Sequence, residues 1–234
     1  MPTQNPFSPA LFQFLTDLRE NNNRDWFQAN QQRYEDAVRE PAFQFISDFG
    51  PELRKISPHF LAIPKKVGGS LFRIFRDVRF SKDKSPYKTQ TGIHFRHAAA
   101  KDAHAPGYYL HLEPEHCFMG AGIWHPDGPT LQQIRAAIAA DPSGWQKARD
   151  ATAKKGGLRL AGDALKRPPK GFDADHPLIE DLKRKDFIAT TDLTIEQVLA
   201  TDFPAHFARL CKTATPLSRF LCGALGVAFW CFPP

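Results

Sequence analysis

TGIHFRHAAAKDAHAPGYYLHLEPEHCFMGAGIW, residues Thr91–Trp124, contains three short alternating runs. Thr91–His97, Gly107–Glu113 and His116–Trp124 are rich in aromatic and β-branched residues. Pro106-Gly107 and Glu113-Pro114-Glu115 supply turn chemistry between them. Period-two alternation bounded by such punctuation predicts antiparallel strands with one face buried. Just upstream, LFRIFRDV at Leu71–Val78 has the same texture, with Ser85-Pro86 as its turn signal. The expectation is a central antiparallel sheet of about four strands, with a wide basic loop, Arg79–Lys88, between the first two.

Working outward, the pattern becomes helical on both sides. Ser8-Pro9 reads as a cap followed by proline at the first helical position. Leu11, Leu15 and Leu18 then share one face up to Asn21-Asn22-Asn23. A second helix is predicted from Arg24, ending or kinking at Pro41. Helical spacing resumes through Phe43, Phe45, Ile46, Phe49 and Leu53 to about Ser57-Pro58. After the strands, Asp127-Gly128-Pro129 opens another helix, and a shorter one follows over Gly144–Arg149. Lys154–Asp175 is polar, with Gly156-Gly157 and Pro168-Pro169, and reads as an irregular excursion. His176–Lys185 reads as a short helix, Phe187–Thr191 as a strand, Thr194–Leu199 as a helix and Phe203–Leu225 as two helices. The fold class is α+β, with helices from both the N- and C-terminal parts packed mainly on one face of the sheet. A single domain over 1–234 is expected: 1–58 helical, 70–125 sheet, 128–226 mostly helical.

Composition narrows the classes. A chain of 234 residues, 42% hydrophobic and with 20 phenylalanines, can bury a substantial Phe-rich core. The four cysteines, Cys117, Cys211, Cys222 and Cys231, form no CxxC or CxxH pair, so neither a structural zinc site nor a disulfide framework is indicated. The N-terminus lacks a basic stretch followed by an apolar run, as a signal peptide requires. Phe220–Pro233 is too short to span a bilayer, which needs roughly 20 residues. It reads as a buried C-terminal helix end and tail, or as an oligomer contact. The expected setting is cytoplasmic, with no membrane partner.

Charge is not spread evenly. Lys65–Lys101 holds ten basic and two acidic side chains, leaving 21 basic and 23 acidic over the rest of the chain. Within it, Arg73, Arg76, Arg79, Lys82, Lys84 and Lys88 alternate with aromatic residues, and Tyr87 could stack on a base or sugar. Guanidinium forks and lysine charges in one segment suit phosphate or carboxylate. An anionic small molecule and a nucleic acid are the partners this favours. The competing reading is a solvated loop whose Arg side chains pair with the protein's own acids.

The strands offer acid–base chemistry. Alternation puts Tyr109, His111 and Glu113 on one side of their strand, and Gly92, His94 and Arg96 on one side of theirs. Where Ile93, Phe95, Leu110 and Leu112 face the helices, the opposite face gathers His94, His111 and Glu113. An imidazole beside a carboxylate is a general acid–base pair, and two histidines with one carboxylate could also hold a metal. Register decides whether they meet. Gly120-Ala121-Gly122 leaves room for close approach to the backbone. No GxGxxG, GxxxxGK or GxSxG run is present, so no nucleotide fingerprint or nucleophile elbow directs the reading, and no cofactor is indicated.

Over nearly its whole length the chain resembles an uncharacterised conserved family, domain of unknown function 2461. The matching runs are NNNRDWF at Asn21–Phe27, FRIFRDVRFSKDKSPYKT at Phe72–Thr89, GYYLHLEP at Gly107–Pro114, GAGIWHP at Gly120–Pro126 and HPLIEDLKRKDF at His176–Phe187. The resemblance implies no activity and no catalytic residues. The expectation from the residues is an anion-binding domain, for a phosphate-bearing small molecule or nucleotide, with acid–base catalysis by His94, His111 and Glu113. The alternative is a non-catalytic nucleic-acid-binding or protein-interaction module.

Overall fold

The computed structural model describes residues 5–99 and 105–230; Lys101, Cys231 and Pro233-Pro234 lie outside them. The chain opens with α1 (Pro9–Glu20), whose Leu11, Phe14, Leu15 and Leu18 are buried at helical spacing. Asn23 caps α2 (Arg24–Ala29) by accepting the Trp26 N–H. α3 (Gln31–Tyr34) runs through a π-helical turn, Glu35–Arg39, directly into α4 (Glu40–Ile56). Pro41 therefore does not end the helix. It sits in the first turn of α4, just after the widened turn that accommodates a residue without an N–H.

The sheet has five antiparallel strands: β1 (Thr91–Arg96), β2 (Gly107–Leu112), β3 (Cys117–Ile123), β4 (Arg159–Ala161) and β5 (Phe187–Leu193). Their order is β1-β2-β3-β5-β4. β4 lies in the stretch expected to be irregular; it is three residues long and lacks the apolar alternation that marks longer strands. Leu71–Val78, expected as a strand, is not one. It touches β1 at a single bridge, Leu71 to Ile93, and then leaves the sheet. From Ile74 to Lys88 it pairs with itself, Arg76 N–H to Pro86 O and Lys88 N–H to Ile74 O. Seven charged side chains between Arg73 and Lys84 favour solvent over a continued ladder, and the segment covers the end of edge strand β1.

The remaining helices are α5 (Gly128–Ala140), α6 (Pro142–Gly156), α7 (Ile179–Leu182), α8 (Ile195–Leu199), α9 (Phe203–Thr213) and α10 (Thr215–Ala224). Of these, α6, α9 and α10 pack with α4 against one sheet face. Ile93, Phe95, Tyr108, Leu110, Leu112, Met119 and Ile123 point into that layer and are fully buried. Phe45 is its hub, in ring contact with Phe7, Phe49, Phe95, Phe203 and Phe207. Each such ring contributes about 1.5–3 kcal/mol by leaving water. The C-terminal tail is tied across the end of this layer: Ala228 O lies 2.8 Å from His97 Nε2, and Ser57 Oγ donates to Phe229 O. Cys117, Cys211 and Cys222 are buried free thiols. Among the described residues no helix is long and apolar enough to cross a membrane.

Candidate functional site

With helices on one face, the other face of β1, β2, β3 and β5 is left for side chains of opposite parity. Register sets three rows across it. One runs His94, Tyr109, Gly120, Thr190; the next Gly92, His111, Phe118, Asp192; the third Arg96, Gly107, Gly122, Ile188. Glycine recurs in every row, so the middle of the face is nearly bare backbone. Phe72, arriving from the basic segment, and Trp124, just past β3, rise at its sides. Together they enclose a cavity of about 620 Å³, within the usual size range for small-molecule pockets.

Two of the glycines let rings lie flat. A Cβ at Gly92 would fall 2.6 Å from the Tyr109 hydroxyl, and one at Gly107 would fall 2.1 Å from His94 Nε2. Tyr109 thus leans over β1 toward the His111 row. Its hydroxyl reaches His111 Nδ1 at 3.0 Å, and His111 Nε2 lies 3.2 Å from Glu113 Oε2. A carboxylate can only accept, so Glu113 holds the proton on Nε2 and leaves Nδ1 to accept from Tyr109. Phe118 stacks on His111 at 4.7 Å and fixes the ring plane. Burial depresses the His111 pKa while the Glu113 hydrogen bond and charge push the other way; the net effect is a lowered value and a neutral ring near pH 7. Burial, reinforced by the Glu113 charge, pushes the Tyr109 hydroxyl up to about 12.

The structure therefore brings His111 and Glu113 together and adds Tyr109 to them. His94 stands apart. Its ring lies 6.3 Å from that of Tyr109 and 5.9 Å from that of Phe72, with no hydrogen-bond partner for its ring nitrogens among the described residues. Burial, with Arg96 nearby, depresses it to about 4. It is a neutral wall of the cavity. The two-histidine, one-carboxylate arrangement does not form, and no group of three His, Cys, Asp or Glu among the described residues is placed to hold a metal.

The basic side chains of the Arg73–Lys88 stretch stand outside this cavity; among the described residues no Lys or Arg lines it. Arg76 is ion-paired with Asp83 and also donates to Ser85 O. Arg79 grips both oxygens of Asp77, at 2.9 and 2.7 Å. Lys84 donates to Val78 O and Lys88 to Arg73 O, with Lys88 Nζ 5.5 Å from the Phe72 ring. Tyr87 is a core residue, stacked at 4.1 Å on Phe27, and has no face left for a base or sugar. Arg73 and Lys82 form no ion pair among the described residues.

One pair escaped the sequence reading. Asp186 is fully buried at the start of β5. Its Oδ1 accepts the His125 backbone N–H at 2.8 Å and lies 3.0 Å from His125 Nδ1, while Oδ2 accepts the Asp163 N–H at 2.9 Å. His125 has φ +47°, the one non-glycine positive φ among the described residues. Both partners lie in runs quoted above, GAGIWHP and HPLIEDLKRKDF, but 61 positions apart; no local spacing joins them.

A family model described as a conserved hypothetical protein, DUF2461, matches residues 10–220 of the chain. Neither the curated proteins nor the solved structures hold a match.

Proposed function

We propose, from the premise that the chain belongs to the conserved hypothetical protein family DUF2461, that the open sheet face is a small-molecule site at which Tyr109, His111 and Glu113 move a proton. The observation that carries this is the continuous hydrogen-bonded chain Tyr109–His111–Glu113, whose first two members line the cavity while Glu113 backs His111 from outside it. In this reading a ligand group gives its proton to the Tyr109 oxygen as the Tyr109 proton passes to His111 Nδ1. The resulting imidazolium is held by Glu113, and the reverse transfer resets the site. A neutral His111 and a phenol that stays protonated near pH 7 are the states this step needs.

The lining supports a flat, largely uncharged ligand. Phe72, Phe118 and Trp124 offer ring faces, Gly120 and Gly122 open the floor, and no Lys or Arg among the described residues lines the cavity to hold a phosphate. Arg73 and Lys82, which form no ion pair among the described residues, support a second reading in which that loop contacts an anion or nucleic acid without catalysis.

The test is a thermal-shift screen of the full chain over uncharged heteroaromatics, nucleotides and sugar phosphates, where a binder stabilises by RT ln(1 + [L]/Kd). Gly120→Leu is the key variant. Its nearest neighbours to a Cβ are 3.7 Å away, so the added side chain fits the backbone and fills the cavity. Uncharged flat binders lost in Gly120→Leu support the proposal. Binders confined to polyanions, kept in Gly120→Leu and lost in Arg73→Ala, sink it.

A further inference from the structure

We infer that His125, oriented by the buried Asp186 carboxylate, is a second proton-accepting group, standing just beyond the Trp124 wall of the same cavity, where a ligand that extends over Trp124 would meet it. The inference rests on the cavity being a ligand site, and it adds a residue and a ligand requirement: a dissociable O–H or N–H on the part of the molecule that lies over Trp124.

The argument begins with strain. A β-region backbone would serve any histidine after a strand, yet His125 is held at φ +47°, a conformation that costs a side-chain-bearing residue on the order of 1 kcal/mol. Asp186 enforces it, because the same Oδ1 engages both the backbone N–H and the ring Nδ1. A carboxylate with no exposed surface needs donors: the backbone N–H groups of His125 and Asp163 supply two, and the His125 ring Nδ1 lies 3.0 Å from Oδ1. The neighbouring chain is shaped to permit this. At Gly162, which lines the cavity at φ +96°, a Cβ would lie 2.4 Å from the Asp186 Cβ, so only glycine lets β4 and the Asp186 side chain approach.

The chemical consequence follows from which nitrogen is used. Asp186 only accepts, so the proton of neutral His125 sits on Nδ1 and the lone pair on Nε2. That nitrogen has no partner among the described residues, and the side chain is 60% exposed. A structural histidine would bury or satisfy it, as His97 does with Ala228 O and the Ala99 N–H. The ring sits 4.5 Å from that of Trp124, itself a wall of the cavity. A ligand O–H over Trp124 would thus give its proton to His125 Nε2, forming an imidazolium paired with Asp186. Tyr109, His111 and Glu113 would act from across the glycine floor.

Two measurements on the uniformly ¹⁵N,¹³C-labelled full chain test this. Long-range ¹⁵N imidazole spectra are expected to show Nδ1 protonated and Nε2 bare at His125, with that preference lost in Asp186→Asn. A protonated Nε2 in the native protein overturns the inference, and the native spectrum decides this arm alone where Asp186→Asn does not fold. In the second, phenol is titrated in as an aromatic ring bearing one dissociable hydroxyl. Saturable shifts at both His111 and His125 are expected, those at His125 absent in Trp124→Ala. Shifts at His111 alone overturn the role of His125 and leave the cavity reading standing. Shifts at neither overturn the cavity reading and this inference with it.

Discussion

The Tyr109 hydroxyl and His111 Nδ1 are 3.0 Å apart, although the two residues are same-face neighbours whose Cα atoms an extended strand separates by roughly 6.6 Å. Tyr109 closes the gap by lying across Gly92 on the adjacent strand, not by standing perpendicular to the sheet. The proton path of the site therefore depends on a residue with no side chain.

Gly92→Ala should break that path with little other damage. Its Cβ would lie 2.6 Å from the Tyr109 oxygen, so the ring must lift and the hydrogen bond to His111 is lost. The expected cost is about 1–2 kcal/mol, a fall of several degrees in melting temperature for a chain of this size. His111 ¹⁵N shifts report the loss at Nδ1; an unchanged Nδ1 signal in a folded variant would refute the arrangement.

His94 should make the protein acid-sensitive. Burial depresses its folded pKa from 6.5 to about 4, so the unfolded chain binds a proton that the folded one refuses. The stability this contributes is fully present above the unfolded value and is lost as pH falls from about 6.5 toward 4. Between about pH 7 and about pH 5 the loss attributable to His94 is on the order of 2 kcal/mol. Urea unfolding at the two pH values should show His94→Gln to be less acid-sensitive than the native protein. Equal slopes would contradict the assignment.

Phe45 should be the costliest single phenylalanine to truncate. Removing it empties the point where five rings meet, and Phe45→Ala is expected to cost about 3–5 kcal/mol with secondary structure retained. Chemical denaturation measures this directly. A loss below about 1 kcal/mol would show that the neighbouring rings collapse into the space.

The basic segment should discriminate between its own arginines. Arg76 and Arg79 are committed to Asp83 and Asp77, so replacing both by Ala should barely move the salt concentration that elutes the protein from heparin. Replacing Arg73 and Lys82 should lower it more. The reverse order would show that the internal pairs open for a polyanion and would restore the loop as the principal anion site.

The outcome at Leu71–Val78 shows where periodicity fails. Its alternation is as regular as that of Thr91–Arg96, but a strand forms only where both edges or one face find partners. Here a single bridge, at Leu71, precedes a self-paired loop. The opposite error occurred at Arg159–Ala161, where three residues without strand texture pair with the established edge of β5. In both, long-range pairing outweighed local preference.

What the chain alone determined is parity and composition. Alternation assigned Ile93, Phe95, Leu110 and Leu112 to one side and Tyr109, His111 and Glu113 to the other, because a pleated strand leaves no further choice once one side is apolar. Tertiary structure decided which of those polar groups touch. Register laid Gly92 beside His111 and Gly107 beside Arg96, so that Tyr109 folded down into contact and His94 folded away. It also joined His125 to Asp186 across 61 residues. Such contacts depend on the packing of distant strands to within an ångström, and a linear pattern of residue types does not encode distances.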